Sequence, residues 1–270
     1  MFLNPLSVGY ESIAEIGILT DLSDKEKVKE SLKNKPSVRV ASPIGKYDIS
    51  GQIFARKFND LSTLVRQIDI KPFVKSLDVL IFADLWDTPW HPENLIIPPK
   101  ERVEKKAPKP KKSFAPTDLD EIDLKICKAL MQDSRVPFKS LSKHIGISTS
   151  NIIQRYRLLR DRNVLNLSSI TVDPSKLGYK ANLDSYIKVT NRGNIAEVEA
   201  QLLEIPNLTF CAKFIGGAYD LRIAVNARDF NDVNSLKKAI YSIDNIKNAE
   251  FYIFVNPTRW PTDFIGGSLI

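Results

Sequence analysis

Residues 119–165 read LDEIDLKICKALMQDSRVPFKSLSKHIGISTSNIIQRYRLLRDRNVL, and their spacing is that of three helices joined by tight turns. Ile122, Ile126 and Leu130 recur at helical intervals and give a first helix one apolar face. Leu141 and Ile145 do the same for a short second helix. Gly146 stands where a helix stops at positive φ, Ile147 is an apolar plug in the turn, and the Ser148 hydroxyl can cap a third helix. In that third helix Ile152, Tyr156 and Leu159 fall at i, i+4 and i+7 and face inward. Ser150, Gln154 and Arg157 share that spacing on the opposite side, flanked by Asn151 and Arg155.

An outward row of Ser, Gln, Asn and Arg supplies what reading base edges requires: paired donors and acceptors, and guanidinium forks for guanine or phosphate. A solvated face of a small helical bundle can carry the same arginines. Glycine turn, plug, cap and polar row together favour double-stranded DNA as partner. The candidate contacts are Ser148, Thr149, Ser150, Asn151, Gln154, Arg155, Arg157 and Arg160.

The runs Leu119-Asp120…Ile122-Asp123, Leu141-Ser142-Lys143…Gly146-Ile147-Ser148 and Arg155-Tyr156-Arg157-Leu158-Leu159…Val164-Leu165 resemble the winged helix-turn-helix of Lrp/AsnC transcription regulators. The resemblance implies a prokaryotic, cytoplasmic, oligomeric regulator. In such proteins the DNA-reading domain is followed by a ferredoxin-like effector (RAM) domain holding a small molecule, commonly an amino acid, between subunits.

Outward from this segment the chain repeats itself. Asn4-Pro5…Val8-Gly9-Tyr10 parallels Asp173-Pro174…Leu177-Gly178-Tyr179 at an offset of 169. Gly45, Tyr47, Asp48, Phe58, Asn59, Asp60, Leu64, Ile81 and Phe82 then match Gly217, Tyr219, Asp220, Phe230, Asn231, Asp232, Leu236, Ile253 and Phe254, all at 172. A common offset over such mixed residue types marks a duplicated domain. Each copy reads strand, helix, strand, strand, helix, strand, which predicts an antiparallel sheet with two helices on one face. The fold class is therefore α+β: two ferredoxin-like βαββαβ domains flanking a three-helix winged helix-turn-helix. The expected divisions are an effector and oligomerisation domain over residues 1–99, a basic Pro/Lys linker over 100–116, the DNA-binding domain over 117–171, a second effector domain over 172–258 and a tail over 259–270. This order departs from the resembled family, which begins with its DNA-reading domain. Whether the two copies pair within one chain or with copies in another is open at this point.

Composition narrows the alternatives. A chain of 270 residues with 43% hydrophobic content can build two or three proper cores. No apolar run approaches a membrane span, and no signal-like leader is visible, so neither a membrane nor an extracellular setting is expected. Cys127 and Cys211 lack CxxC spacing, which suits a reducing compartment, and His91 and His144 are too few for a histidine-rich metal site. No metal, cofactor or catalytic residue is expected. The net charge of +7 is concentrated: the linker holds Lys100, Arg102, Lys105, Lys106, Lys109, Lys111 and Lys112 against Glu101 and Glu104. That suits a polyanion, and equally a soluble spacer. Trp86, Trp90 and Trp260 follow the last strands and are candidates for oligomer contacts.

Gly45, Tyr47 and Asp48, with Gly217, Tyr219 and Asp220, occupy the turn between the second and third strands of each copy. Hairpins need Gly and Asp for conformation alone. The family resemblance adds effector binding: a carboxylate for an α-ammonium and backbone amides for an α-carboxylate. Two rival readings stand beside the regulator. One is an assembly protein whose helix-turn-helix is a scaffold. The other is an enzyme similar to siroheme decarboxylases, which combine the same two domain types but use histidine and arginine around a tetrapyrrole.

Overall fold

The computed structural model describes residues 2–33, 35, 37–83, 91–95, 118–167 and 173–255. The linker, the tail and the three tryptophans lie outside them. In chain order the elements are β1 (Phe2–Leu3), β2 (Ser12–Leu19), α1 (Lys25–Lys33), β3 (Val38–Ala41), β4 (Ile49–Ala55), α2 (Phe58–Asp69), β5 (Ser76–Phe82), α3 (Glu121–Gln132), α4 (Phe138–Ile145), α5 (Thr149–Asp161), β6 (Leu165–Leu167), β7 (Ala181–Val189), α6 (Ile195–Leu202), β8 (Leu208–Ile215), β9 (Leu221–Ala227), α7 (Phe230–Tyr241) and β10 (Ile246–Val255). Both βαββαβ repeats are present. Gly9 (φ 87°) and Gly178 (φ 85°) turn the chain at the same point before each repeat's first strand.

The described residues fall into two compact units: residues 2–11 with 118–167, and residues 12–83 and 91–95 with 173–255. The second unit holds both repeats. Its strands run in the order β10-β7-β9-β8-β5-β2-β4-β3, with antiparallel pairing throughout. The copies join where Ile81 and Phe82 of β5 pair with Ile215 and Phe214 of β8. They join again where Ile44, following β3, exchanges two backbone hydrogen bonds of 2.8 and 2.9 Å with Ile253 of β10. The pairing left open above is thus intramolecular.

Each copy keeps its own helix-covered core. Ala14, Ile16, Ile18, Ile49 and Ile53 pack with Val28, Leu32, Leu61 and Ile68 in the first. Leu183, Ile187, Leu221, Ile223 and Val225 pack with Val198, Leu202, Leu236 and Ile240 in the second. A sheet covered on one face only would alternate buried and exposed residues. Instead β4 is buried at every position, and β2 at all but Leu19. The face away from the helices is covered by the other copy. Tyr47 stacks on Tyr252 (centroids 5.5 Å apart), Tyr186 packs on Tyr252 at 4.8 Å, and Phe82 packs on Phe214 at 4.8 Å.

Charges are buried among these rings. The Glu15 carboxylate accepts from Ser50 Oγ (3.0 Å), Gln52 Nε2 (3.1 Å), Tyr186 OH (3.0 Å) and Arg222 Nη1 (2.9 Å). Arg222 also donates to Asp184. An ion this deeply desolvated persists only when paired and hydrogen-bonded, and here the partners come from both copies.

The other unit is discontinuous in sequence. Strand β1 pairs antiparallel with β6, and Leu3 is buried in the core made by Ile126, Leu130, Leu141, Ile152 and Leu159. The Asn4 N–H donates to the Val164 carbonyl at 2.9 Å. The expected first domain, 1–99, therefore yields residues 2–11 to the helix-turn-helix unit, since an apolar side chain and an unpaired strand edge find their partners there.

Candidate nucleic-acid interface

The three-helix segment forms through local signals. Asp120 caps α3 by accepting from the Asp123 N–H at 2.8 Å. Helix α4 stops at Gly146 (φ 83°), whose N–H returns to the Ser142 carbonyl at 2.9 Å. Ser148 caps α5 by accepting from the Asn151 N–H at 3.2 Å. Ile152 and Leu159 are buried, and Tyr156 packs on Phe138 at 5.1 Å, so the inward face is the one the spacing predicts. Ser150, Asn151, Gln154 and Arg157 are exposed.

Other candidates depart from that row. Thr149 is half-buried and donates to Ser142 Oγ at 3.1 Å, so its hydroxyl serves the α4–α5 turn. Arg155 donates from Nη1 to Asp120 Oδ2 and to Asp123 Oδ1, both at 2.7 Å. These two carboxylates, Asp123 foremost, hold its guanidinium more firmly protonated. The Asp123 N–H and then Arg155 hold the Asp120 carboxyl below the usual range. Arg160 turns a guanidinium nitrogen to the Leu165 carbonyl at 3.0 Å, bracing the start of β6. Arg155 and Arg160 are thus engaged within their own unit rather than extended from the row. Arg162, outside the expected row, is exposed and lines, with Asn151, Gln154 and Arg155, a cleft of about 230 Å³ between α5 and α3. Lys139, Lys143 and His144 of α4 are also exposed.

The Gly-x-Tyr-Asp turns lie where the two copies meet. A Cβ on Gly45 would stand 2.6 Å from the Tyr252 ring, and one on Gly217 would stand 2.7 Å from Leu80, the residue equivalent to Tyr252. Both aspartates, however, are spent on the hairpins. Asp48 accepts from the Thr20 N–H at 3.0 Å. Asp220 accepts from the equivalent Val189 N–H at 3.0 Å, from Lys188 at 3.2 Å and from Arg192 at 2.7 Å. The expectation of a carboxylate open to an ammonium group is corrected for Asp220, which is buried and already paired with two cations. Tyr47 is likewise buried, its hydroxyl donating to Asp78, and burial followed by that contact pushes its pKa up. Burial, with Glu250 nearby, pushes Tyr219 up to about 12.

Among the described residues no group of three or more His, Cys, Asp or Glu is placed to hold a metal, and no helix is long and apolar enough to cross a membrane.

Residues 119–160 match the AsnC-type helix-turn-helix domain. The HTH-type transcriptional regulator FL11 of Pyrococcus horikoshii is 29% identical over 145 residues, covering 54% of this chain and 95% of that protein. Its counterpart in Pyrococcus furiosus is 28% identical over the same shares. Among solved structures, the siroheme decarboxylase NirDL in complex with an iron-uroporphyrin III analogue superposes with a TM-score of 0.63. That match covers 93% of this chain and 73% of the other at 15% identity, a likeness of fold alone. Residues 119–160 are thus similar to the AsnC-type helix-turn-helix, and the regulators above resemble about half of this chain over nearly their whole length.

Proposed function

We propose that this chain is a sequence-specific DNA-binding transcription regulator whose base-reading surface is Ser150, Asn151, Gln154 and Arg157 on α5. The observation that carries this reading is the exposed polar row on a helix fixed at its start by a serine cap and along its inner face by a continuous core. Mobility-shift binding to the DNA upstream of its own gene, over a salt series, tests it. Gln154→Ala/Arg157→Ala is the control, because it spares the residues tied to α3. Each lost base contact should cost about 1–3 kcal/mol of discrimination. Folded protein that binds no duplex at low salt would sink the reading and raise the assembly alternative.

Among the described residues each chain has one such reading helix, α5, beside two effector-type repeats. A two-fold DNA site would then require a second chain. For the effector we propose a small molecule such as an amino acid at the Gly45–Tyr47 and Gly216–Tyr219 turns. Gly216 (φ 70°) and Gly217 (φ 78°) turn the backbone in the manner of anion-holding concavities. Its carboxylate would be held by amides, with Asp48 and Asp220 remaining as hairpin braces. The absence of any rise in melting temperature with each of the twenty amino acids at millimolar concentration would remove this part.

A tetrapyrrole reading is favoured by one observation, the fold shared with a siroheme decarboxylase over most of the chain. Against it, the space between the sheets is filled by Tyr47, Tyr186 and Tyr252 rings and the Glu15–Arg222 cluster. Haemin titration with a Soret shift would revive it.

A further inference from the structure

We propose that Arg155 does not touch DNA and is the positioning residue of the reading helix, clamping the middle of α5 to the first turn of α3 through Asp120 and Asp123. This deepens the DNA-reading proposal above and rests on it. One nitrogen, Nη1, meets both carboxylates at 2.7 Å, and the side chain is only 24% exposed. Two carboxylates against one guanidinium leave the cluster with net negative charge, an unfavourable place for a phosphate. Asp120 is also the cap of α3, so the clamp joins the origin of one helix to the body of the other. Asn151 and Gln154 share the cleft with Arg155. Their orientation toward a base edge is therefore set from the side on which Arg155 pulls.

The two roles of Arg155 predict opposite signs at Asp123. Were Arg155 a DNA contact, Asp123→Asn would free it and remove a repelling charge, and binding would tighten. As a clamp, losing either partner releases α5, and binding weakens.

The experiment uses the full chain and a duplex selected by the wild-type protein from a randomised pool. Affinities of Arg155→Gln, Asp123→Asn and the double variant are measured over a salt series, with helix content and melting followed in parallel. Each single variant should bind about tenfold more weakly, within the range shown by groups of one contact network, and the double variant no worse than the weaker single. The salt slope of Arg155→Gln should equal that of the wild type, whereas losing a phosphate contact would flatten it by about 0.9. Tighter binding by Asp123→Asn, or a flattened slope in Arg155→Gln, overturns the proposal while leaving the DNA reading intact. Should Arg155→Gln lose helix content, Arg155→Lys decides. A lysine point charge can serve two carboxylates and should restore most of the affinity, but it cannot replace a guanidinium fork on a base, so continued loss overturns the clamp. If the wild type enriches no duplex, the DNA reading fails first and the clamp with it.

Discussion

Asp220 shows how one residue type at one spacing can serve two chemistries. A Gly-x-Tyr-Asp turn is compatible with an open carboxylate or a buried brace, and the choice is made by Lys188, Arg192 and the Val189 N–H. Those partners precede it by 28 to 32 residues and arrive only when the strands align, so periodicity could not disclose them. Asp220→Asn should destabilise the protein by about 1–3 kcal/mol in denaturant unfolding, because two cations lose their buried anion. An unchanged midpoint would contradict that brace. At Gly45, substitution by alanine drives a methyl group into the Tyr252 ring, and overpacking of this kind costs about 1–3 kcal/mol. Glu15 makes a prediction with a pH sign. Burial raises its pKa above the ordinary 4.5, outweighing the pull of Arg222. The folded state therefore holds the Glu15 proton more tightly than the unfolded chain does. The resulting stability is fully present below the unfolded pKa and is lost as pH rises through the folded value. Wild-type stability should thus decline relative to Glu15→Gln as pH rises from about 4.5, an expectation that parallel pH profiles would refute. Asp184 is raised for the same first cause, so the variant should retain part of the slope.

Helices α3, α4 and α5 were legible because their signals are local: apolar residues every three or four positions, an Asp or Ser cap, and a glycine stop. The repeats' order of strand, helix, strand, strand, helix, strand was legible from local patterns as well. Strand β1 was not. Two residues have no period, and the partner of Leu3 in the register is Leu165. Arg155 lay close to the polar row in spacing, yet its acids lie 32 and 35 residues earlier, beyond any local pattern. Since β1 supplies both a strand edge and a core side chain to the helix-turn-helix, Leu3→Ala should cost about 2–5 kcal/mol, as buried leucines do. Amide exchange should locate that loss in α3–α5 and leave β2 and β7 protected. Equal deprotection of β2 and β7 would show that the two units do not open separately.

For the whole molecule, the duplication was plain in the sequence, but the way its halves pair was not, because sheet edges join through backbone groups that every residue type carries. With both halves on one chain, the unfolding midpoint of the sheet unit should not depend on protein concentration, as an intermolecular pair's would. A midpoint rising with concentration would mean that the copies exchange between chains. The same covalent arrangement changes what a substitution can do. In a dimer of identical subunits every change appears twice, mirrored across the axis, and a charge suited to one side must tolerate its own image. Here each codon acts once: Arg222 faces Glu15 and Asp184 while its counterpart in the first copy is Ser50, and Tyr252 lies under Gly45 while Leu80 lies under Gly217. One half can therefore drift toward a new ligand while the other keeps the sheets together, a division of labour that symmetric assemblies are denied.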